Sequence, residues 1–442
     1  MHDLKMIADK ALAALKDKGA DKAQCAVRFT ETHEFNVDGG KFSLFRTLFD
    51  NSLSLTAVKD YKKGSVGINR LDDESIAAAA VNCLAIADSG AADPAWAFAE
   101  KSENGSFTEG APEADLDLLF DRTADLDLLF DRTAELMRQI GEQFPLILME
   151  QMIVTHKKRH TVFKNSLGVE YEVLSGEYGI DLMFSAHEGE KSSSFFGTGV
   201  ITDRLDTPFM ELGTIREDLA NVSKQLDTKP LEGKFTGVAV LPPSALGTFI
   251  GSALGNFASD GTLLDGTSPW KESLGKVVAD PAITISAAPL DERIVCGERF
   301  TGEGFRSENY DIIKNGVLES FMLSGYVANK TGLPRAKNSS YAIVMKAGDT
   351  PYADIIAGIE RGILVGRFSG GEPGTSGDFS GVAKNSFLIE NGKITCALSE
   401  TMISGNLGDL LKNVVAISSE VVCDGATVLP YAAFGGVTVS GK

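Results

Sequence analysis

Five histidines are the only imidazoles this 442-residue chain has for metal binding or acid–base work: His2, His33, His156, His160 and His187. None sits in an HExxH stretch, the spacing that puts two imidazoles and a carboxylate on one helix face. His156 and His160 flank Lys157, Lys158 and Arg159, three cations that would repel a metal ion. The run VTHKKRHTVF reads as a hairpin with an exposed basic tip. His187-Glu188 opens a polar stretch with no second histidine in range and reads as solvent-facing. Residues 268–271 (SPWK) and 330–332 (KTG) echo serine acyl-transfer enzymes, but Pro269 is ill placed beside a nucleophilic serine at a helix start. The Gly-rich run 369–381 (SGGEPGTSGDFSG) lacks GK[ST] and leads toward a strand. It therefore lacks the helix-start amides that cradle phosphate and reads as a conformable loop. Cys25, Cys83, Cys296, Cys396 and Cys423 are scattered, odd in number and without a CxxC, the pattern of reduced thiols.

The whole-chain numbers narrow the function classes. Forty-two basic against 61 acidic residues give a formal charge of −19, which argues against direct nucleic-acid binding. Apolar residues make up 43% and mean hydropathy is zero, enough for packed cores. No uninterrupted apolar run approaches the length of a membrane span, and the charged, amphipathic start is unlike a secretory signal, so a cytoplasmic home is expected.

The elements that must position any site follow from periodicity. Leu4, Ile7, Ala11 and Leu15 predict a helix over 3–18 that stops at Gly19. Residues 52–58 and 65–69 read as strands around a turn at 60–64, and a helix over 73–87 has Asp72 as its N-cap. Residues 88–114 read as a linker or long loop. Then ADLDLLFDRT occurs twice without a change, at 114–123 and 124–133. Ten residues turn a helix through about 1000°, leaving the copies roughly 80° out of phase. A single helix cannot bury both Leu-Leu-Phe triplets through one stripe, so the repeat reads as a local duplication. One copy, judged by Phe120 against Phe130, is expected to be more exposed or less ordered. Residues 146–200 are strand-like, 214–227 are helical, and 230–233 form a boundary. The organisation expected is a 1–90 α+β domain, a 91–145 linker and helix with the duplication, a 146–230 strand-rich segment, and a 231–442 β-rich domain. The fold class is α+β: an N-terminal α/β-type domain of mixed sheet and helices, then a C-terminal β-rich domain with peripheral helices.

Several phrases, taken together and in order, resemble the TldD/PmbA family, proteins also described as modulators of DNA gyrase. They are TGEGF (301–305), IIKNGVLESFML (312–323), SGDFSGVAKNSFLIENGKI (376–394) and MISGNLGDLLKNV (402–414), with GADKAQCAV and the helix after LDDES near the start. NGVL and ENGK are also simply hairpin turns. The likeness spans nearly the whole chain. It implies a helix that in TldD-type members carries H-E-x-x-x-H after a Pro-containing turn, with a cysteine near the C-terminus as third zinc ligand. Zinc peptidase chemistry needs all of them: neutral imidazoles and a thiolate to hold the metal, a carboxylate to take the water proton. Here the corresponding stretch follows VAVLPPSALGTFI. Gly251 stands at the first His position, Ser252 at the Glu and Asn256 at the second His. Gly255 is the framework glycine, Ser259 holds a commonly acidic position, and Cys423 falls near the cysteine.

Gly251 has no donor, Ser252 is a negligible base and Asn256 is a poor zinc ligand. Leu246, Phe249, Ile250, Ala253, Leu254 and Phe257 keep helical spacing and read as core. The resemblance therefore implies a PmbA/TldE-type member that lacks a zinc site and has no cofactor of its own. Its expected partner is a TldD-type catalytic paralogue holding zinc. Unstructured peptides would be the substrate, pairing with a sheet edge, and the chain made alone would form a homodimer. The alternatives are an active metallopeptidase with unrecognised ligands, or a homodimeric regulatory protein of the gyrase-modulator kind.

Overall fold

A computed structural model describes residues 3–96, 98–100, 104–111, 122–399 and 401–441, the side chains of 122–125 excepted. Helix α1 (Leu4–Asp17) is started by Asp3, whose carboxylate accepts from the Lys5 and Met6 amides. Its buried face is Leu4, Ile7, Ala8, Ala11 and Leu15, the predicted stripe. Strands β1 (Lys22–Asp38), β2 (Lys41–Lys59) and β3 (Lys62–Ile68) then run as an antiparallel meander. Asp60 and Tyr61 take the positive φ of the second turn. Helix α2 (Asp73–Ser89) opens on Asp72, which accepts from Ser75 N at 2.9 Å. It packs with α1 on the sheet through Ile76, Ala79, Ala80, Cys83 and Leu84.

The sheet continues with strands from the far side of the duplication. Strand β5 (Ile147–Asn165) pairs with β1, and β6 (Glu170–Glu188) pairs with β5. Strand β4 (Gly105–Gly110) runs parallel along the first half of β6, while Phe196–Thr202 pairs antiparallel along the second half. Segments 1–90 and 146–230 thus contribute to one sheet. The stretch read as a linker supplies one of its strands.

The supposed hairpin at VTHKKRHTVF is instead the middle of β5. The run contains none of the Gly, Pro, Asn or Asp residues that reverse a chain, and neighbouring strands answer its charges. Arg159 pairs with Glu177 and His160 with Glu172, both at 2.7 Å, and the His156 and His33 rings stack at 6.2 Å. The basic tip is therefore not exposed: Lys158 is buried. His187 does face solvent, at the end of β6.

Helix α3 (Arg122–Gln143) carries the second copy of the duplication. Its buried positions Leu129, Thr133, Leu136 and Ile140 form one stripe on the sheet. Within that copy Leu129 is fully buried, whereas Leu128 is 39% exposed. Phe130 lies at the rim, stacked on Phe42 at 4.8 Å. The comparison with Phe120 falls outside the described residues. Helix α4 (Ile215–Ser223) closes the same core.

The second unit is built on the strand Lys234–Leu241, antiparallel to Val428–Ser440 and parallel to Arg361–Leu364. Pro242-Pro243 ends that strand and begins helix α5 (Pro243–Phe257), proline being tolerated in a first helical turn. Short helices α6 (Asp260–Leu264) and α7 (Gly325–Thr331) lie at the periphery. NGVL and ENGK are hairpin turns as expected, with Asn315 and Asn391 at φ 47° and 49°. The α+β class holds, and both units are built on extensive sheets with helices packed against them.

An aromatic stack joins the units. Phe163 of β5 lies on Tyr171 of β6 at 4.8 Å, and Tyr171 lies on Phe300 of the second unit at 3.9 Å. Gly304, at φ 88°, packs against Phe163 where a Cβ would come within 2.8 Å of the ring. Cys296 Sγ donates to Gly176 O, and Ile201 N donates to Asp424 O at 2.7 Å. No helix among the described residues is long and apolar enough to cross a membrane.

The single buried stripe of α3 gives a direct test. Leu129→Ala is expected to lower unfolding free energy by about 2–5 kcal/mol, while Leu128→Ala stays within about 0.5 kcal/mol, measured by urea titration.

Candidate functional site

Helix α5 is held by its apolar side. Leu246, Phe249, Ile250, Ala253, Leu254 and Phe257 are all buried in the core of the second unit. Phe249 packs on Phe368 and Phe379, and Phe257 on Trp270. The opposite side is a stripe of small and polar residues, in which Gly251, Ser252, Gly255, Asn256 and then Ser259 are all partly exposed. A helix wheel places Ser252 and Asn256 one turn apart on one line, with Gly251 and Gly255 beside them.

The groups on this stripe are already engaged or chemically idle. The Asn256 amide donates to Pro373 O at 3.0 Å, so the Gly-rich run lies over the helix end. Gly377 of that run packs on Phe257, where a Cβ would sit 2.5 Å from the ring. Ser259 Oγ donates back to Gly255 O. A Cβ built at Gly251 or Gly255 meets nothing within 4 Å. Packing thus leaves room for a ligand side chain at 251, and what is missing there is the donor.

Cys423 is not gathered with the others, contrary to the sequence grouping. Its thiol donates to Arg293 O at 3.1 Å, and burial raises its pKa, favouring the thiol over the metal-binding thiolate. The reason is register. Cys423 pairs with Val428 and Val422 with Leu429. Leu429 is the residue that reaches α5, 3.2 Å from a Cβ placed at Gly247. The next pair along a strand points to the other face, and Cys423 goes with it. Zinc does not fit the residues present: a glycine, two serine hydroxyls of which that of Ser259 is turned to its own helix, an amide held by a carbonyl, and a thiol donating to Arg293 O. Among the described residues, no three His, Cys, Asp or Glu side chains group so as to hold a metal ion. Ser268 of the SPWK run is also tied down, its hydroxyl donating to Phe257 O and accepting from Trp270 N.

Two features escaped sequence reasoning. The first is a cleft of about 490 Å³ between the units, just beyond the end of α5. Lys63 and Trp96 line it from the first unit; Ser259, Glu303, Tyr326, Arg335 and Tyr341 are among those lining it from the second. Trp96 stacks on Tyr326 at 3.8 Å, a pairing across 230 positions that no local pattern announces. The second is Asp218 of α4, which lines a water-sized cavity with Glu217 and with Pro242 and Ser244 at the start of α5. Thr214 donates to Asp218 at 2.7 Å. Burial outweighs that bond and pushes the Asp218 pKa up to about 7. Glu217 accepts from the Tyr431 hydroxyl at 2.5 Å, linking α4 to the central strand of the second unit.

Comparison with known proteins follows the same architecture. Residues 236–441 match the PmbA/TldA metallopeptidase C-terminal domain family. The chain is 29% identical over 229 residues to a metalloprotease of Methanothermobacter thermautotrophicus, covering 46% of this chain and 49% of that protein. It therefore spans about half the length of that relative. The metalloprotease PmbA of Escherichia coli O157:H7 is 26% identical over 415 residues, covering 91% of this chain and 88% of the other. Among solved structures, TldE from Thermococcus kodakarensis superimposes with a TM-score of 0.80 at 18% identity, covering 99% of this chain and all of that one. A candidate modulator of DNA gyrase from Bacteroides thetaiotaomicron reaches 0.83 at 23% identity, with both chains covered in full.

The buried carboxyl predicts a pH effect. The folded-state pKa of Asp218 lies above the ordinary 3.8, so the folded protein holds an extra proton between these values. Its stabilisation is full below about pH 4 and is lost as pH rises through about 7. Asp218→Asn should therefore gain on the order of 2–3 kcal/mol relative to the parent between about pH 5 and pH 8 in urea unfolding. A difference that stays flat across that range would refute the assignment.

Proposed function

Because the chain belongs to the PmbA/TldD family, we propose that it is a metal-free subunit of a peptide-cutting metalloprotease system, paired with a TldD-type paralogue that carries zinc. The observation that supports this most directly is the outward stripe of α5. The helix has its whole apolar side buried, and the three positions that the family resemblance aligns with the zinc ligands and the water-activating carboxylate are Gly251, Ser252 and Asn256. A helix kept for stability alone would satisfy the same packing. Kept beside an interdomain cleft, it also preserves the surface against which a related subunit closes. Peptides are the expected ligands, because the family relatives named above are metalloproteases.

The mechanism assigned to this chain is one of positioning rather than bond breaking. With no carboxylate or imidazole on the stripe, no residue there can take a proton from water at neutral pH. The Asn256–Pro373 bond holds the Gly-rich run across the helix end and fixes the shape of the outward face.

Metal content checks the proposal. The purified chain is expected to hold less than about one-tenth zinc per chain after dialysis, and to leave unfolded casein intact. Zinc and caseinolysis should both appear when a partner bearing an intact HExxxH helix is co-expressed and co-purified. Stoichiometric zinc in the chain alone, lost on Cys423→Ser, would overturn it.

A further inference from the structure

The interdomain cleft is lined by two cations that neighbouring carboxylates leave unpaired. Nearby basic residues are matched: Lys330 with Asp93 at 3.0 Å, Lys337 with Glu308 at 3.2 Å, and Arg299 with Glu109. Arg335 and Lys63, both facing the cleft, have no ion pair among the described residues. The contrast is informative in a chain with 61 acidic and 42 basic residues, where a carboxylate is seldom scarce.

Each cation is instead held by an aromatic ring. The Arg335 guanidinium lies 3.9 Å above the Phe305 ring, and one of its N–H groups donates to Ala336 O. A guanidinium has five N–H donors, so stacking fixes its plane while leaving most of the fork free. Lys63 Nζ sits 4.4 Å from the centre of the Trp96 ring on the opposite wall. Trp96 in turn is locked against Tyr326, whose hydroxyl donates to Asp93 at 2.9 Å. Arg335 is half-buried, and burial lowers its pKa against the pull of Glu303, Glu308 and Glu298.

The two carboxylates of the cleft are held by backbone amides at its rim rather than by Arg335 or Lys63. Glu303 accepts from Gly325 N at 2.8 Å, and Asp260 from Ser324 N at 2.9 Å. Two cations and two carboxylates leave the cleft near neutrality. It has no net charge to attract a dense dianion such as phosphate, while the open guanidinium fork of Arg335 offers parallel donors that match a single carboxylate. The volume of about 490 Å³ is in the range that takes a few residues of an extended chain rather than a folded surface.

We propose that this cleft binds a peptide carboxylate, gripped by the Arg335 fork and approached by Lys63, with the adjoining side chain on the Trp96–Tyr326 stack. The site lies just past the C-terminal end of α5, with Ser259 among its lining residues. The proposal rests on the reading that peptides are the ligands of this system. It assigns this subunit a holding role of its own.

Three tetrapeptide probes distinguish the sources of the carboxylate: acetyl-Ala-Ala-Ala-Phe as free acid, the same acetylated peptide as its C-terminal amide, and acetyl-Ala-Glu-Ala-Phe amide. Each is titrated into the full-length chain without a partner, by calorimetry and by Trp fluorescence. At least one charged peptide is expected to bind about tenfold more tightly than the neutral amide, and which one does so names the terminus or the acidic side chain as the source. Arg335→Gln should abolish the preference, Arg335→Lys should restore only part of it, and the exposed Lys63→Gln should weaken binding about threefold. Melting curves confirm that each variant is folded, and Lys63→Gln keeps the test decisive if Arg335→Gln is not. Equal binding of all three peptides, no binding up to about 5 mM, or a preference that survives in folded Arg335→Gln would each overturn the proposal. None of these results touches the metal-content test, so the two readings fail separately.

Discussion

The stack of Phe163, Tyr171 and Phe300 is the contact on which the arrangement of this molecule depends. Two residues come from adjacent strands of the first unit and the third from a loop of the second, with ring planes within 6° of one another. Aromatic pairs contribute burial together with a preferred geometry, so they fix orientation as well as distance. Gly304 makes the close approach possible, because any side chain there would collide with Phe163. The cleft between the units has a defined shape because this contact and the Cys296–Gly176 and Ile201–Asp424 hydrogen bonds hold its walls.

Helix α5 is held by one side and leaves the other open. The energy that keeps it helical comes from the side facing away from the site, where Phe249, Ile250, Leu254 and Phe257 are packed among rings and aliphatic chains. The outward side contributes little to that packing, so its residues are free to vary without unfolding the helix. Gly251 and Gly255 lower helix propensity by about 1 kcal/mol each, a cost small beside burial of the opposite side. Zinc ligation needs three donors converging on one point, and here one position is bare, one amide is spent on Pro373 and the one thiol belongs to another face.

Charge in this protein is handled by pairing within the sheet and by exception at the cleft. The basic run of β5 is neutralised strand to strand by Glu177 and Glu172, which is why it lies flat in a sheet instead of forming an exposed turn. Arg335 and Lys63 depart from that pattern, each resting on a ring. Asp218 departs in the opposite sense, a carboxyl buried with only threonine hydroxyls for company, its pKa pushed up to about 7.

Composition and periodicity alone determined the first two helices with the Asp72 cap, the Asn-Gly hairpins at 315 and 391, the buried side of α5 and the α+β class. These are local properties: a cap needs a side chain within three residues, and an amphipathic stripe repeats every turn. That positions 251, 252 and 256 hold no imidazole or carboxylate is likewise visible without coordinates. What the tertiary structure decided is whatever depends on partners far along the chain. The strand character of 147–165 rests on pairing with β1 and β6, and the strand at 105–110 exists because β6 offers an edge. Cys423 and α5 were parted by a one-residue step in register, which reverses the face a side chain takes. The Trp96–Tyr326 wall and the unpaired Arg335 arise only when the units close on each other, since no spacing in the sequence encodes a contact across more than two hundred residues.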